Sequence, residues 1–100
     1  MSPDGLYSFL ARANAPEWST DHVAGKRYEL IVFVRESSEE TAKIRFRRAI
    51  GDAGWTFPEI QEIAKIDGRM KLEKVERLGL DQAMRTAIKA GTAIVVFKNP

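Results

Sequence analysis

The stretch RYELIVFVRE, residues 27–36, places the strongest constraint on what this chain can fold into. In a β-strand, alternate side chains point to opposite faces of the sheet, so Leu30 and Val32 lie on one face and Ile31 lies on the other with Phe33. Both faces of this strand are therefore apolar. The stretch TAIVVFK, residues 92–98, has the same character. Each of these strands needs an apolar cover on two sides.

The composition describes one ordinary globular domain. A chain of 100 residues is long enough for a single core, and 44% hydrophobic with 30% charged residues is typical of a folded protein. Lys and Arg exceed Asp and Glu by only 16 to 14, a weaker excess than nucleic-acid binders usually carry. The absence of cysteine excludes disulfides and thiolate nucleophiles.

The sequence carries no pattern typical of a targeting or membrane segment. The first residues lack the basic start and the uninterrupted apolar run of a signal peptide. No stretch has the apolar length that a membrane-spanning helix requires. We therefore expect a cytoplasmic protein without membrane association.

The first 26 residues predict an arm and a linker. Leu6, Phe9, Leu10 and Ala13 follow the i, i+3, i+4, i+7 spacing of an amphipathic helix. Residues 14–26 contain proline, glycine and small polar residues, which favour a linker. The predicted organisation is a helical arm with a linker over residues 1–26 and an α+β domain over residues 27–100.

Two further helices are predicted within that domain. Ser37 and Glu40 have the spacing of a capping box, which predicts a helix starting near residue 38 with Phe46 and Ile50 on its buried stripe. A second apolar stripe runs from Leu80 to Ile88. The glycine at position 91 is placed to end that helix.

The segment between these helices predicts two strands, although residues 70–78 suit a helical turn almost as well as the second strand. The spacing of Ile60 and Ile63 breaks strict alternation, which indicates a β-bulge or a strand that starts late. The dipeptide Asp67-Gly68 favours a tight hairpin turn. The element order then predicts an α+β fold, a ferredoxin-like β-α-β-β-α-β sandwich with an extra N-terminal amphipathic helix and both main helices on one sheet face. Such a fold does not itself specify a function.

Candidate catalytic residues are few. His22 lies beside Asp21 in a polar stretch, whereas catalytic groups usually converge from separate parts of a fold. Glu59 and Glu62 are close enough in sequence to share a cation, but solvent-exposed charge is the better interpretation. We expect no catalytic residues, no metal site and no cofactor. The sequence favours a non-enzymatic protein without deciding the question.

The first main helix carries a candidate nucleic-acid patch formed by Lys43, Arg45, Arg47 and Arg48. At 100° per residue these side chains spread around the helix instead of forming a ridge, and acidic residues are interleaved with them. Ile44 falls opposite the buried stripe, so we expect it in solvent between Arg47 and Arg48. RNA binding through this patch is an alternative function.

The leading hypothesis follows from the apolar second face. If both helices cover one face, burying four large side chains of the first and last predicted strands on the other face is worth on the order of 6 to 10 kcal/mol. We expect this face to be covered by the N-terminal arm, within one chain or swapped onto a second copy. The function expected is protein–protein association, as a homodimer or an adaptor. A regulatory domain that binds a small molecule in a cleft near Trp55 is a further alternative. The candidate interaction surface comprises Leu6, Phe9, Leu10, Ile31, Phe33, Ile94 and Val96.

Overall fold

The computed structural model describes residues 5–18, 23–66 and 81–96. The predicted Asp67-Gly68 turn and His22 lie outside these residues. The described elements, in chain order, are β1 (Gly5–Asn14), β2 (Arg27–Glu36), α1 (Glu39–Asp52), β3 (Thr56–Ile66), α2 (Asp81–Ala90) and β4 (Thr92–Val96).

The four described strands form one antiparallel sheet in the order β3-β1-β2-β4. β1 and β2 are the central pair, and their register runs without a shift from Gly5 opposite Glu36 to Asn14 opposite Arg27. β3 pairs with the outer side of β1, and β4 pairs with the outer side of β2. The first strand of the chain therefore lies at the centre of the sheet.

The predicted ferredoxin-like fold with an N-terminal helix is wrong, because the first element that the structure describes is strand β1 and not a helix. The segment satisfies two periods at once. Leu6, Phe9 and Leu10 have helical spacing, while Tyr7, Phe9 and Ala11 alternate as in a strand. Backbone pairing with β2 on one side and β3 on the other selects the strand.

The two described helices lie on opposite faces of the sheet. α1 packs its buried stripe of Ala42, Phe46 and Ile50 into one core with Phe9 and Val32. α2 packs Met84 and Ala87 into a second core, on the sheet face that carries Leu6, Ile31 and Phe33. The second apolar face of β2 is thus covered by α2, and the expectation that both helices share one face is wrong. β1 contributes side chains to both cores.

The predicted β-bulge in β3 is confirmed. Leu10 lies opposite Glu62, but the next residue of β1, Ala11, lies opposite Ile60, so Gln61 is the extra residue. Because the bulge adds one residue, side chains three positions apart in β3 lie on the same face of the sheet. Ile60 and Ile63 both pack against the α1 core as a result.

Helix α1 begins close to its predicted start. Its N-cap is Ser38, one residue after the predicted Ser37, and the Ser38 hydroxyl accepts a hydrogen bond from the Thr41 backbone N–H. The predicted stripe positions Phe46 and Ile50 are fully or almost fully buried.

Substitutions on the two faces of β1 should lower the free energy of unfolding by different amounts, because the two faces are buried to different extents. Phe9 is completely buried and stacks on Phe46 with ring centroids 4.8 Å apart, whereas Leu10 is half-buried on the α2 face. We expect Phe9→Ala to lower the free energy of unfolding by about 3–5 kcal/mol. Leu10→Ala should cost less than half as much. Urea unfolding measures both, and equal losses would contradict this placement of β1.

Candidate functional site at the β4 edge

The sheet of the described residues has two outer strands, and they differ in chemistry. β3 is largely exposed and carries the charged residues Glu59, Glu62 and Lys65, together with Pro58. Its pairing with β1 is interrupted by two register shifts. Charges, proline and bulges are the features by which natural edge strands avoid pairing with other chains. β3 is a protected edge.

The second irregularity of β3 lies at its start. Phe57 and Pro58 together oppose the single residue Ala13, and Phe57 has a φ of +52°, which is uncommon for a residue other than glycine. Arg27 holds this distorted end by donating to the Phe57 carbonyl at 3.1 Å and to the Glu59 carboxylate at 3.1 Å. The Phe57 side chain projects outward and is 75% exposed.

β4 has none of these protective features. Its sequence, Thr-Ala-Ile-Val-Val, contains no charged residue and no proline. Its register with β2 is continuous, from Thr92 opposite Val34 to Val96 opposite Leu30. Each of its five side chains is half-buried. β4 is therefore a short, regular, apolar edge strand.

Hydrogen bonding indicates which backbone groups of β4 face outward. The Arg35 N–H donates to the Gly91 carbonyl at 2.8 Å, which makes these two residues a hydrogen-bonded pair. Such pairs alternate with non-bonded pairs along an antiparallel ladder, so Ala93 and Val95 are the next residues bonded to β2. The N–H and C=O groups of the remaining residues point away from β2. These residues are Thr92, Ile94 and Val96.

The start of β4 is fixed by Gly91, which ends α2 as predicted. Gly91 has a φ of +98°, and its N–H donates to the Ala87 carbonyl at 2.8 Å. A Cβ at this position would lie 2.5 Å from a guanidinium nitrogen of Arg45. Arg45 is itself held by an ion pair with Glu36 at 2.8 Å. This arginine therefore packs α1 against the turn between α2 and β4.

The Glu36–Arg45 pair changes the acidity of its carboxyl group. The hydrogen bond from Arg45, aided by the backbone N–H of Ser37, holds the pKa of Glu36 below its ordinary value. Partial burial opposes this shift but does not reverse it. Glu36 is the acceptor that orients Arg45 over Gly91.

The structure distributes the candidate interaction surface over both cores. The members on the α1 face are Phe9, Ile94 and Val96. The members on the α2 face are Leu6, Leu10, Ile31 and Phe33. Phe9 and Phe33 are completely or almost completely buried. Ile94 and Val96 are the members that lie on an outer strand.

The candidate nucleic-acid patch is also divided. Lys43 pairs with Glu39 at 3.7 Å, and Arg45 pairs with Glu36 beside β4. Arg47 and Arg48 are exposed on α1. The expected exposure of Ile44 between them is confirmed, since its side chain is 65% exposed.

The two tryptophans of the chain lie in different environments. Trp18 is 71% exposed, yet its indole lies so close to Gly54 that a Cβ there would be 2.7 Å from the ring. Trp55, in contrast, is buried edge-on against Tyr28. Pro58 could have indicated the edge position of β3 from the sequence, because a proline within a strand is confined to edges and bulges.

Comparisons with protein-family models, with curated proteins and with solved structures find no match to this chain. Within residues 5–18, 23–66 and 81–96, no group of three or more His, Asp or Glu residues is arranged to hold a metal ion. No helix in these ranges has the length and apolarity needed to cross a membrane.

Alanine substitutions at Gly91 and at Gly51 should change the stability of the fold in opposite directions. Gly91→Ala would combine a left-handed φ with a clash against Arg45, so we expect a loss of about 1–3 kcal/mol in the free energy of unfolding. Gly51→Ala, in helix α1 with open space around its Cβ position, should gain about 0.4–1 kcal/mol. Thermal and urea unfolding check the signs, and a neutral Gly91→Ala would contradict this account.

The stabilising effect of Glu36 should depend on pH. Because its pKa is lower in the folded chain, its contribution is complete above the ordinary glutamate pKa and declines as pH falls through the folded value. The parent should exceed Glu36→Gln in stability by at most about 1 kcal/mol at pH 7, since the pair is partly exposed. The difference should shrink below about pH 4. Unfolding from pH 7 to pH 3 tests this, and a constant difference would refute it.

Proposed function

We propose that this protein acts by association with another protein chain, and that a strand of that chain adds to the outer edge of β4. The contrast between the two outer strands carries this proposal. In strand addition, main-chain hydrogen bonds supply affinity and alternate side chains supply specificity. β4 presents outward N–H and C=O groups at three alternate residues, whereas β3 is irregular and charged.

The cover on both sheet faces supports an edge as the binding element. α1 packs on one face and α2 on the other, so the large side chains Phe9 and Phe33 are already buried within the chain. The apolar side chains that a partner could still bury include Ile94 and Val96, which are only half-buried. An added strand would extend both cores and hydrogen-bond to the backbone groups of β4 that point away from β2.

The alternative of nucleic-acid binding has less support. RNA-binding domains with a four-stranded sheet stack bases on aromatic side chains of an open sheet face, but Tyr28 and Phe33 are buried within the two cores. Two of the four candidate cations, Lys43 and Arg45, are engaged by carboxylates. The small-molecule alternative depended on Trp55, which is buried in the α1 core.

The proposal can be tested by comparing matched variants at the two edges. Ile94 on β4 and Ile63 on β3 are both half-buried and pack against the same core, so lysine at either position should cost similar stability. The parent, Ile94→Lys and Ile63→Lys would be tagged and purified from the native cell. We expect the partner to be retained by Ile63→Lys and lost with Ile94→Lys, because a charge on β4 opposes strand addition.

Melting curves of the purified variants control for unfolding, and nuclease treatment controls for nucleic acid. Partners that survive nuclease and disappear only with Ile94→Lys support the edge. Partners lost equally in both variants would contradict it. Partners removed by nuclease, and by Arg47→Glu with Arg48→Glu, would favour the basic helix face instead.

A further inference from the structure

We infer that the chain whose strand adds to β4 is a second copy of this protein, with the two β4 strands paired antiparallel about a two-fold axis at Ile94. This inference rests on the proposed function of the β4 edge and names its partner. Two identical strands that pair antiparallel are related by a two-fold axis, so a single edge supplies both halves of the interface. The described sheets of two chains would join into one continuous sheet.

The backbone pattern of β4 suits this arrangement. The outward-facing residues are Thr92, Ile94 and Val96, which are symmetric about the middle residue of the strand. With the axis at Ile94, each Ile94 lies opposite its own copy, and Thr92 lies opposite Val96 of the other copy. Each of these pairs can exchange both N–H···O bonds. Within Thr92–Val96, any other centre pairs fewer of the three outward-facing residues, so we place the axis at Ile94.

The side chains of β4 are compatible with their own copies. No residue from Thr92 to Val96 is charged, so two copies meet without repulsion. Ile94 and Val96 would extend the α1 core across the axis, and Ala93 and Val95 would extend the α2 core. Self-pairing of β3 would instead bring several charged side chains together on an irregular backbone. Of the two outer strands that the structure describes, β4 is therefore the one suited to a second copy.

Sedimentation of the purified full-length chain tests the inference directly. We expect a concentration-dependent equilibrium between one chain and two chains. Ile94→Lys should raise the dissociation constant of the dimer more than about tenfold, because two like charges meet at the axis. Ile63→Lys, which loses a comparable contact on β3, should leave that constant within about threefold of the parent. A parent that remains a single chain up to about 1 mM would overturn the inference.

Disulfide trapping tests the register. The chain contains no cysteine, so an introduced thiol reports one position only. Residues directly opposite in a hydrogen-bonded pair have Cα atoms about 5.5 Å apart, which a disulfide can bridge. Ile94→Cys should therefore form a covalent dimer rapidly under mild oxidation. Val96→Cys should form it at least about tenfold more slowly, because its own copy lies four residues away along the strand, roughly 13 Å.

The outcomes distinguish a failure of the self-pairing inference from a failure of the proposed function of the β4 edge. Equal trapping rates for Ile94→Cys and Val96→Cys, or equal weakening by Ile94→Lys and Ile63→Lys, would refute the two-fold pairing at Ile94. If the purified parent is a single chain while Ile94→Lys still removes a different protein from the native cell, the edge functions with another partner and this inference fails alone. If neither variant changes any association, the proposed function of the edge fails as well.

Discussion

The antiparallel pairing of β1 with β2 is the interaction on which the rest of this structure depends. Both strands carry apolar side chains on both faces, as Phe9 opposite Val32 and Leu10 opposite Ile31 illustrate. A pair of this kind is stable in water only when each face is covered, since burial of such side chains contributes about 1.5–3 kcal/mol apiece. α1 and α2 supply one cover each. The helices lie on opposite faces of the sheet because its central strand pair is apolar on both faces.

The same central pair determines the character of the edges. Because β1 and β2 occupy the middle, the later strands can only join outside them, β3 beside β1 and β4 beside β2. β3 accommodates its outer position with bulges, a proline and charged side chains. β4 is shorter and regular, and its start is held between α1 and α2 by Gly91 and Arg45. An edge that is firmly positioned and chemically unprotected is suited to pairing with a strand from another chain.

Arg45 illustrates how a surface charge acquires a structural role. In the sequence it belongs to a basic cluster on a helix, together with Arg47 and Arg48. In the fold, the approach of α1 to β2 places Arg45 within 2.8 Å of Glu36 and against the glycine that begins β4. The candidate nucleic-acid patch loses a member because of contacts between residues 36, 45 and 91. Such contacts are not visible in the local charge pattern.

The sequence by itself determined the elements whose signals are local. These elements are the start of α1 to within one residue, its buried stripe, the bulge between Ile60 and Ile63, the exposure of Ile44 and the glycine after α2, all of which depend on neighbouring residues. Only the tertiary structure decided that residues 5–14 form a strand, because their apolar residues satisfy both the helical and the strand period. It also decided which helix covers which face and which strand is left at each edge. Those features depend on hydrogen bonds and packing between residues far apart in the chain, whose partners the local sequence does not specify.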